Sequence, residues 1–119
     1  MTAVTMYHNP RCSKSRQTLS LLEQHGIDPV IVEYLKTPPT ASELKGILEK
    51  LHMRPRELMR KKEDAYKQLG LDDESLSDDR LIKAMVENPV LIERPIVVTD
   101  HGAKIGRPPE DVLDLFSGW

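Results

Sequence analysis

One cysteine among 119 residues, Cys12, leaves the chain without a partner for an internal disulfide, and a free thiol is kept reduced most readily in the cytosol. Any redox cycle run on that sulfur takes its second thiol from outside the chain. No apolar run reaches the roughly 18 residues of a membrane span, and the first residues lack the basic flank and apolar stretch of a secretory signal. The expectation is a cytoplasmic protein with no membrane partner. Seventeen basic residues against nineteen acidic ones, a formal net charge of -2, supply no bulk electrostatic reason to expect nucleic acid as a partner. His25, His52 and His101 are dispersed, and no spacing of His, Cys and acidic residues resembles a zinc site. No metal and no tightly bound cofactor are expected. There are no repeats, low-complexity segments or linkers, so residues 1–119 read as one domain.

What is present is an alternation of short elements. Residues 3–7 and 30–35 are runs rich in Val, Ile and Tyr, and the segment between them, ending at His25-Gly26, reads as a helix with a glycine at its C-terminus. That is a β-α-β unit, which sets two parallel strands side by side and puts the strand-to-helix turn at the functional edge of the sheet. Thr40 and Glu43 form a capping-box pattern ahead of Leu44, Ile47, Leu48 and Leu51 at helical spacing. Residues 55–70 are charged and helix-prone without firm boundaries. Leu76 and Ser77 read as a staple and N-cap for a further helix that Asn88-Pro89 closes. Residues 95–99, a turn at Asp100-His101-Gly102 and residues 103–106 form a strand-turn-strand pattern, followed by a last helix opening at Pro108-Pro109-Glu110. The class is α/β, in the order β-α-β, helical block, β-β-α, around a mixed four-stranded sheet.

Cys12 lies in the first turn of this order, between His8-Asn9-Pro10-Arg11 and Ser13-Lys14-Ser15-Arg16. A lone cysteine in a soluble chain is most often a small buried hydrophobe. A helix start changes that reading, because unpaired N–H groups and the positive end of the dipole favour the ionised sulfur. Such surroundings lower a thiol pKa from about 8.5 to roughly 3.5–7.5. If the later hairpin pairs around Asp100 and His101, residue numbers opposite each other sum to about 201 or 202, which sets Arg94 against Arg107 or within one position of it. Like charges so placed are destabilising unless an anion compensates them, and planar guanidinium donors suit an oxyanion. Pairing of each arginine with Glu93, Asp100 or Glu110 is the plainer alternative. Ser15 reads equally as a donor to thiolate or ligand and as an ordinary first-turn serine; His8 reads as a proton carrier or a structural turn histidine. A cysteine-phosphatase loop fits poorly, since three residues rather than five separate Cys12 from Arg16 and none is glycine.

Three motifs, Tyr7-His8-Asn9-Pro10-x-Cys12-x-x-Ser15-Arg16, Glu93-Arg94-Pro95-Ile96-Val97-Val98 and Gly106-Arg107-Pro108-Pro109-Glu110, resemble the glutaredoxin-coupled arsenate reductase (ArsC) family over nearly the whole chain. The sequence is most similar to its short, chromosomally encoded members. The resemblance implies a thioredoxin-like fold with an inserted helical block and a cis bond at Pro95. It also implies Cys12 as the catalytic nucleophile, with His8 assisting thiolate formation. Arg60, Arg94 and Arg107 would then bind the oxyanion, with Ser15 at the substrate and Asn9 and Pro95 shaping the site. Arg60 comes from the resemblance alone, through its setting Glu57-Leu58-Met59-Arg60-Lys61, because nothing else separates it from Arg54, Arg56, Lys61 and Lys62. The implied partners are arsenate or a similar oxyanion, glutathione as co-substrate, and glutaredoxin. Arg11 and Ser13-Lys14 depart from the smaller, less charged residues of the resistance enzymes, and the sequence ends at Trp119 without their longer tail. Two other functions share these features. One is a glutathione-linked thiol/disulfide oxidoreductase acting on another substrate. The other is a thioredoxin-like regulator binding RNA polymerase, although such regulators carry a second cysteine where Ser15 stands.

Overall fold

The structure is a computed structural model and describes residues 3–116; Met1, Thr2 and the end of the chain at Trp119 lie outside the described residues. It divides into two compact units, one formed by the chain up to Thr37 and again from Arg94 onward, the other by Pro38–Glu93.

The first unit holds the sheet. Strand β1 (Thr5–Tyr7) pairs parallel with β2 (Val30–Val32) and antiparallel with β3 (Ile96–Thr99), which pairs antiparallel with β4 (Gly102–Ile105), giving the order β2-β1-β3-β4. Parallel strands need a crossover, here helix α1 (Ser13–Gln24). Its end is set by Gly26, which takes φ 74 while the Ile27 N–H bonds Leu22 O at 2.9 Å; a side chain there would strain the backbone. Val4, Met6, Leu22, Val97 and Val112 form the buried core, with Leu19, Ile27, Leu115 and Phe116 packed against it. Complete burial of side chains such as Met6 and Leu22 contributes roughly 1.5–3 kcal/mol each. Both α1 and β4 pack on the C-terminal segment. That segment was expected to be an α-helix and is instead a 3₁₀ helix, Pro109–Phe116. Pro108 and Pro109 withhold two N–H donors from its start, and Asp111 N–H bonds Pro108 O at 3.1 Å in the tighter three-residue pattern.

The second unit is helical: α2 (Ala41–Leu51), α3 (Pro55–Leu58), α4 (Asp64–Gln68), α5 (Asp78–Glu87) and a 3₁₀ turn (Pro89–Leu91). The Thr40 hydroxyl accepts the Glu43 N–H at 3.1 Å and the Glu43 carboxylate accepts the Thr40 N–H at 3.0 Å, the reciprocal cap that the spacing implied. Ser77 caps α5, accepting the Arg80 N–H. Helix α5 packs on α2, α3 and the 3₁₀ turn, with Leu44, Leu58, Leu81, Met85 and Leu91 buried. Residues 55–70 form two short helices because the chain between them is drawn into an antiparallel bridge, Met59 opposite Ile92. Around that bridge Arg60 N–H bonds Leu91 O at 2.7 Å, and Glu93 N–H bonds Leu58 O at 2.9 Å. This is the thioredoxin-like arrangement with a helical block inserted between β2 and β3. Among the described residues no helix is long and apolar enough to cross a membrane.

Candidate active site

Cys12 is the N-cap residue of α1, with extended backbone angles (φ -93, ψ 125), and its sulfur stands where the first turn's N–H groups are unpaired. The loop that brings it there is tied at each step. His8 N–H continues the parallel pairing beyond β1 by bonding Val32 O at 2.9 Å, and Cys12 N–H bonds Asn9 O at 3.0 Å. The Asn9 side-chain oxygen accepts the Arg11 N–H at 3.0 Å, an Asx turn that gives this residue its structural place at the site.

Burial by itself raises the thiol pKa of Cys12, yet the outcome is a value below the ordinary one. The Ser15 N–H, the Arg94 guanidinium by hydrogen bond and by charge, and the Lys14 N–H together outweigh desolvation. Arg107 adds a second guanidinium, its Nη2 3.7 Å from the sulfur. Cys12 is only 8% exposed.

The two arginines arrive by the hairpin. Strands β3 and β4 pair with residue numbers that sum to 201, Ile96 opposite Ile105 and Thr99 opposite Gly102. The same register runs past the strand ends, where Gly106 N–H bonds Pro95 O at 3.0 Å and Arg107 Nε bonds Arg94 O at 2.8 Å. The group that both arginines face is the Cys12 sulfur, whose ionised form their charge favours. The Arg94–Pro95 and Arg107–Pro108 peptide bonds are both cis, and the second had no signal in the sequence. Gly106 is a further site residue that sequence reasoning missed. A Cβ there would collide with the Thr18 hydroxyl and lie 2.8 Å from Pro95 Cγ, so only glycine lets the chain just past β4 fit between Thr18 of α1 and the cis proline.

Of the two roles open to Ser15, the structure shows the one within the loop: its side chain is completely buried, with Oγ accepting the Asn9 N–H at 3.0 Å and lying 2.6 Å from His8 Nδ1. A first-turn side chain points back toward the preceding loop, so the hydroxyl serves the loop and the residue meets the sulfur through its amide. His8 is buried, and burial first, then the charge of Arg16, lowers its pKa despite Glu33. The imidazole is therefore neutral at pH 7.

Arg60 lies in the helical unit, where its guanidinium is 3.4 Å from the Glu63 carboxylate. Within its cluster, Arg56 is a structural clamp: Nη1 donates to Tyr66 Oη and Leu71 O, and Nη2 to Asp73 O at 2.8 Å. No group of His, Cys, Asp and Glu among the described residues is arranged to hold a metal ion.

The ArsC family's sequence pattern matches residues 7–115. An arsenate reductase of Neisseria meningitidis (serogroup A) is 50% identical over 113 residues, covering 94% of this chain and 97% of that one. The uncharacterized protein YfgD of Escherichia coli K12 is 58% identical over 113 residues, covering 94% and 95%. The solved structure of an arsenate reductase from Vibrio cholerae superposes with a TM-score of 0.92 at 54% identity, covering 95% of this chain and 97% of that one. With a helix-capping thiol, two arginines brought to it by a hairpin, and likeness along nearly its whole length, this chain belongs to the ArsC family.

Proposed function

We propose that the protein is an arsenate reductase whose chemistry runs through Cys12. The observation that carries the reading is a single cysteine sulfur faced by two guanidinium groups and the N–H groups of a helix start, with its pKa below the ordinary thiol value. The names of its relatives, arsenate reductases at 50% and 54% identity, support it. Arsenate docks against Arg94 and Arg107; the family resemblance assigns a third oxyanion-binding arginine to Arg60. The thiolate attacks arsenic, an As–S bond forms, and a protonated oxygen leaves as water. Preorganised positive charge stabilises the developing oxyanion without reorganisation. His8 acts here as a positioning residue: its neutral ring holds Ser15, and Ser15 holds the amide that faces the sulfur.

Nothing in the chain supplies the two electrons for arsenic, because Cys12 has no second cysteine. Glutathione bonds arsenic next, displacing another oxygen as water. A glutaredoxin thiolate then attacks the glutathione sulfur, the As–S electron pair stays on arsenic, and glutathione leaves as a mixed disulfide with glutaredoxin. Arsenic(V) has become arsenic(III), and hydrolysis of its bond to Cys12 frees arsenite. The test is arsenate reduction measured with and without glutathione and glutaredoxin. Cys12→Ser should lose turnover entirely while keeping the wild-type circular dichroism spectrum; glutathione-dependent reduction persisting in that variant would sink the proposal. The second reading, disulfide exchange with another glutathione-linked substrate, is favoured by the same lone thiolate and is separated by specificity constants measured side by side.

A further inference from the structure

Of the buried polar side chains, His8 and Ser15 serve the loop before α1, and Thr99 serves the hairpin turn, accepting the His101 N–H at 3.1 Å. Thr18, in the middle of α1, belongs to neither. It is completely buried, and its hydroxyl donates to Lys14 O at 2.8 Å. A threonine bonding the carbonyl one turn back is ordinarily no more than local satisfaction of a hydroxyl. Here the carbonyl it meets matters. Lys14 O and the Ser15 N–H are the two ends of one planar peptide group. Burial opposes ionisation of Cys12, and the first group to oppose burial is that Ser15 N–H. A donor on a carbonyl oxygen draws electron density from the amide nitrogen and strengthens the N–H at the other end. The line therefore runs from the Thr18 hydroxyl through the Lys14–Ser15 peptide to the Cys12 sulfur.

The hydroxyl is also held in place. Both branches of the Thr18 side chain lie against Gly106, where there is no room for a Cβ, and a β-branched side chain in a helix has few χ1 states. The residue next to Arg107 thus keeps the hydroxyl on Lys14 O. Valine has the same shape, so packing alone does not call for a hydroxyl at this buried position. We propose that Thr18 is a positioning residue for the nucleophile: through the Lys14–Ser15 peptide, its hydroxyl fixes and polarises the N–H that faces the Cys12 sulfur. The role rests on the reading of Cys12 as the reacting group, and no bond to Thr18 forms or breaks in the reaction. The charged groups at the sulfur, Arg94 and Arg107, reach it from other segments and are untouched by substitution of Thr18.

The experiment follows the rate of Cys12 alkylation by iodoacetamide against pH in the wild type, Thr18→Val and Thr18→Ser, with urea unfolding on the same samples. Thr18→Val keeps the shape and loses the hydroxyl. Its alkylation midpoint should rise by about 0.3 in pH, a roughly twofold fall in ionised Cys12 below the midpoint, as expected when a charge-assisted hydrogen bond loses about a fifth of its strength. Thr18→Ala, which opens space instead of filling it, should raise the midpoint in the same way. Thr18→Ser keeps the hydroxyl and loses a buried methyl, so it should unfold at lower urea while its midpoint stays within about 0.1 of the wild type. A threonine that only packs predicts the reverse order, with Thr18→Ser more perturbed than Thr18→Val in both measurements. A midpoint unmoved in Thr18→Val and Thr18→Ala, or moved as far in Thr18→Ser, overturns the proposal. Arsenate reduction run in parallel separates the two readings. A raised midpoint in Thr18→Val with no arsenate turnover in the wild type would overturn the reductase reading alone; wild-type turnover with an unmoved midpoint would overturn the role of Thr18 alone.

Discussion

At the scale of single residues, the thiolate of Cys12 depends on groups of different kinds, and substitution separates them. The Ser15 and Lys14 amides belong to the backbone and survive side-chain changes, whereas the Arg94 contribution does not. Arg94→Gln should move the pH midpoint of Cys12 alkylation up toward that of an ordinary thiol; an unmoved midpoint would mean that the helix start acts alone. Ser15→Ala should do something else. It removes the partner of the Asn9 N–H and of His8 Nδ1, so it should destabilise the fold by about 1–3 kcal/mol and move the alkylation midpoint less than Arg94→Gln does. Urea unfolding and alkylation on the same samples measure both. Cys12 and the arginines were legible in the sequence because their chemistry is announced by residue type. The direction of the Ser15 hydroxyl was not, because a serine at that position faces either the loop or the ligand depending on what the fold places beside it.

At the scale of elements, the capping signals at Thr40 and Ser77 and the glycine after α1 were readable because each depends on backbone geometry within a few residues. The division of residues 55–70 into α3 and α4 was not. It follows from the bridge between Met59 and Ile92, a contact more than thirty positions apart in the sequence, which overrides local helix propensity. The approach of Gly106, just past β4, to Thr18 of α1 is likewise a contact between distant segments, and it can be tested. Gly106→Ala forces a methyl onto Thr18 and Pro95 and should cost about 1–3 kcal/mol. Adding Thr18→Ala opens space on one side, so the double variant should be less destabilised than the sum of the two singles. Strict additivity in urea unfolding would show that the close approach is not what requires glycine.

At the scale of the whole molecule, the displaced pKa values share one sign. Glu43 is lowered by the Thr40 backbone and hydroxyl, Asp73 by the Ser75 hydroxyl and backbone, His8 by burial, and Cys12 by amides and Arg94 against burial. In each case the folded state holds fewer protons than the unfolded chain between the two pKa values, so stability rises with pH across that window and is lost as pH falls through it. The carboxylates act below about pH 4.5, His8 below about 6.5 and Cys12 below about 9. The stability difference between wild type and Cys12→Ser should therefore grow from pH 7 to pH 9, measured as the shift in urea midpoint. A difference that stays flat or shrinks over that range would contradict a lowered thiol pKa.

The sequence by itself determined the order of elements, the capped helices, the hairpin turn with its register to within one position, and the presence of a lone thiol at a helix start, because propensity, periodicity and cap chemistry act over a few residues. It also determined that the electrons for any reduction come from elsewhere, a matter of counting cysteines. Only the tertiary structure decided that Arg94 and Arg107 converge on one sulfur, that Ser15 turns its hydroxyl to His8, and that Gly106 makes room for Thr18 and Pro95. The arginine and glycine contacts join segments remote in the chain, and the Ser15 contact, though only seven residues apart, depends on the turn taken by the loop between β1 and α1; none of that geometry exists before the chain has folded.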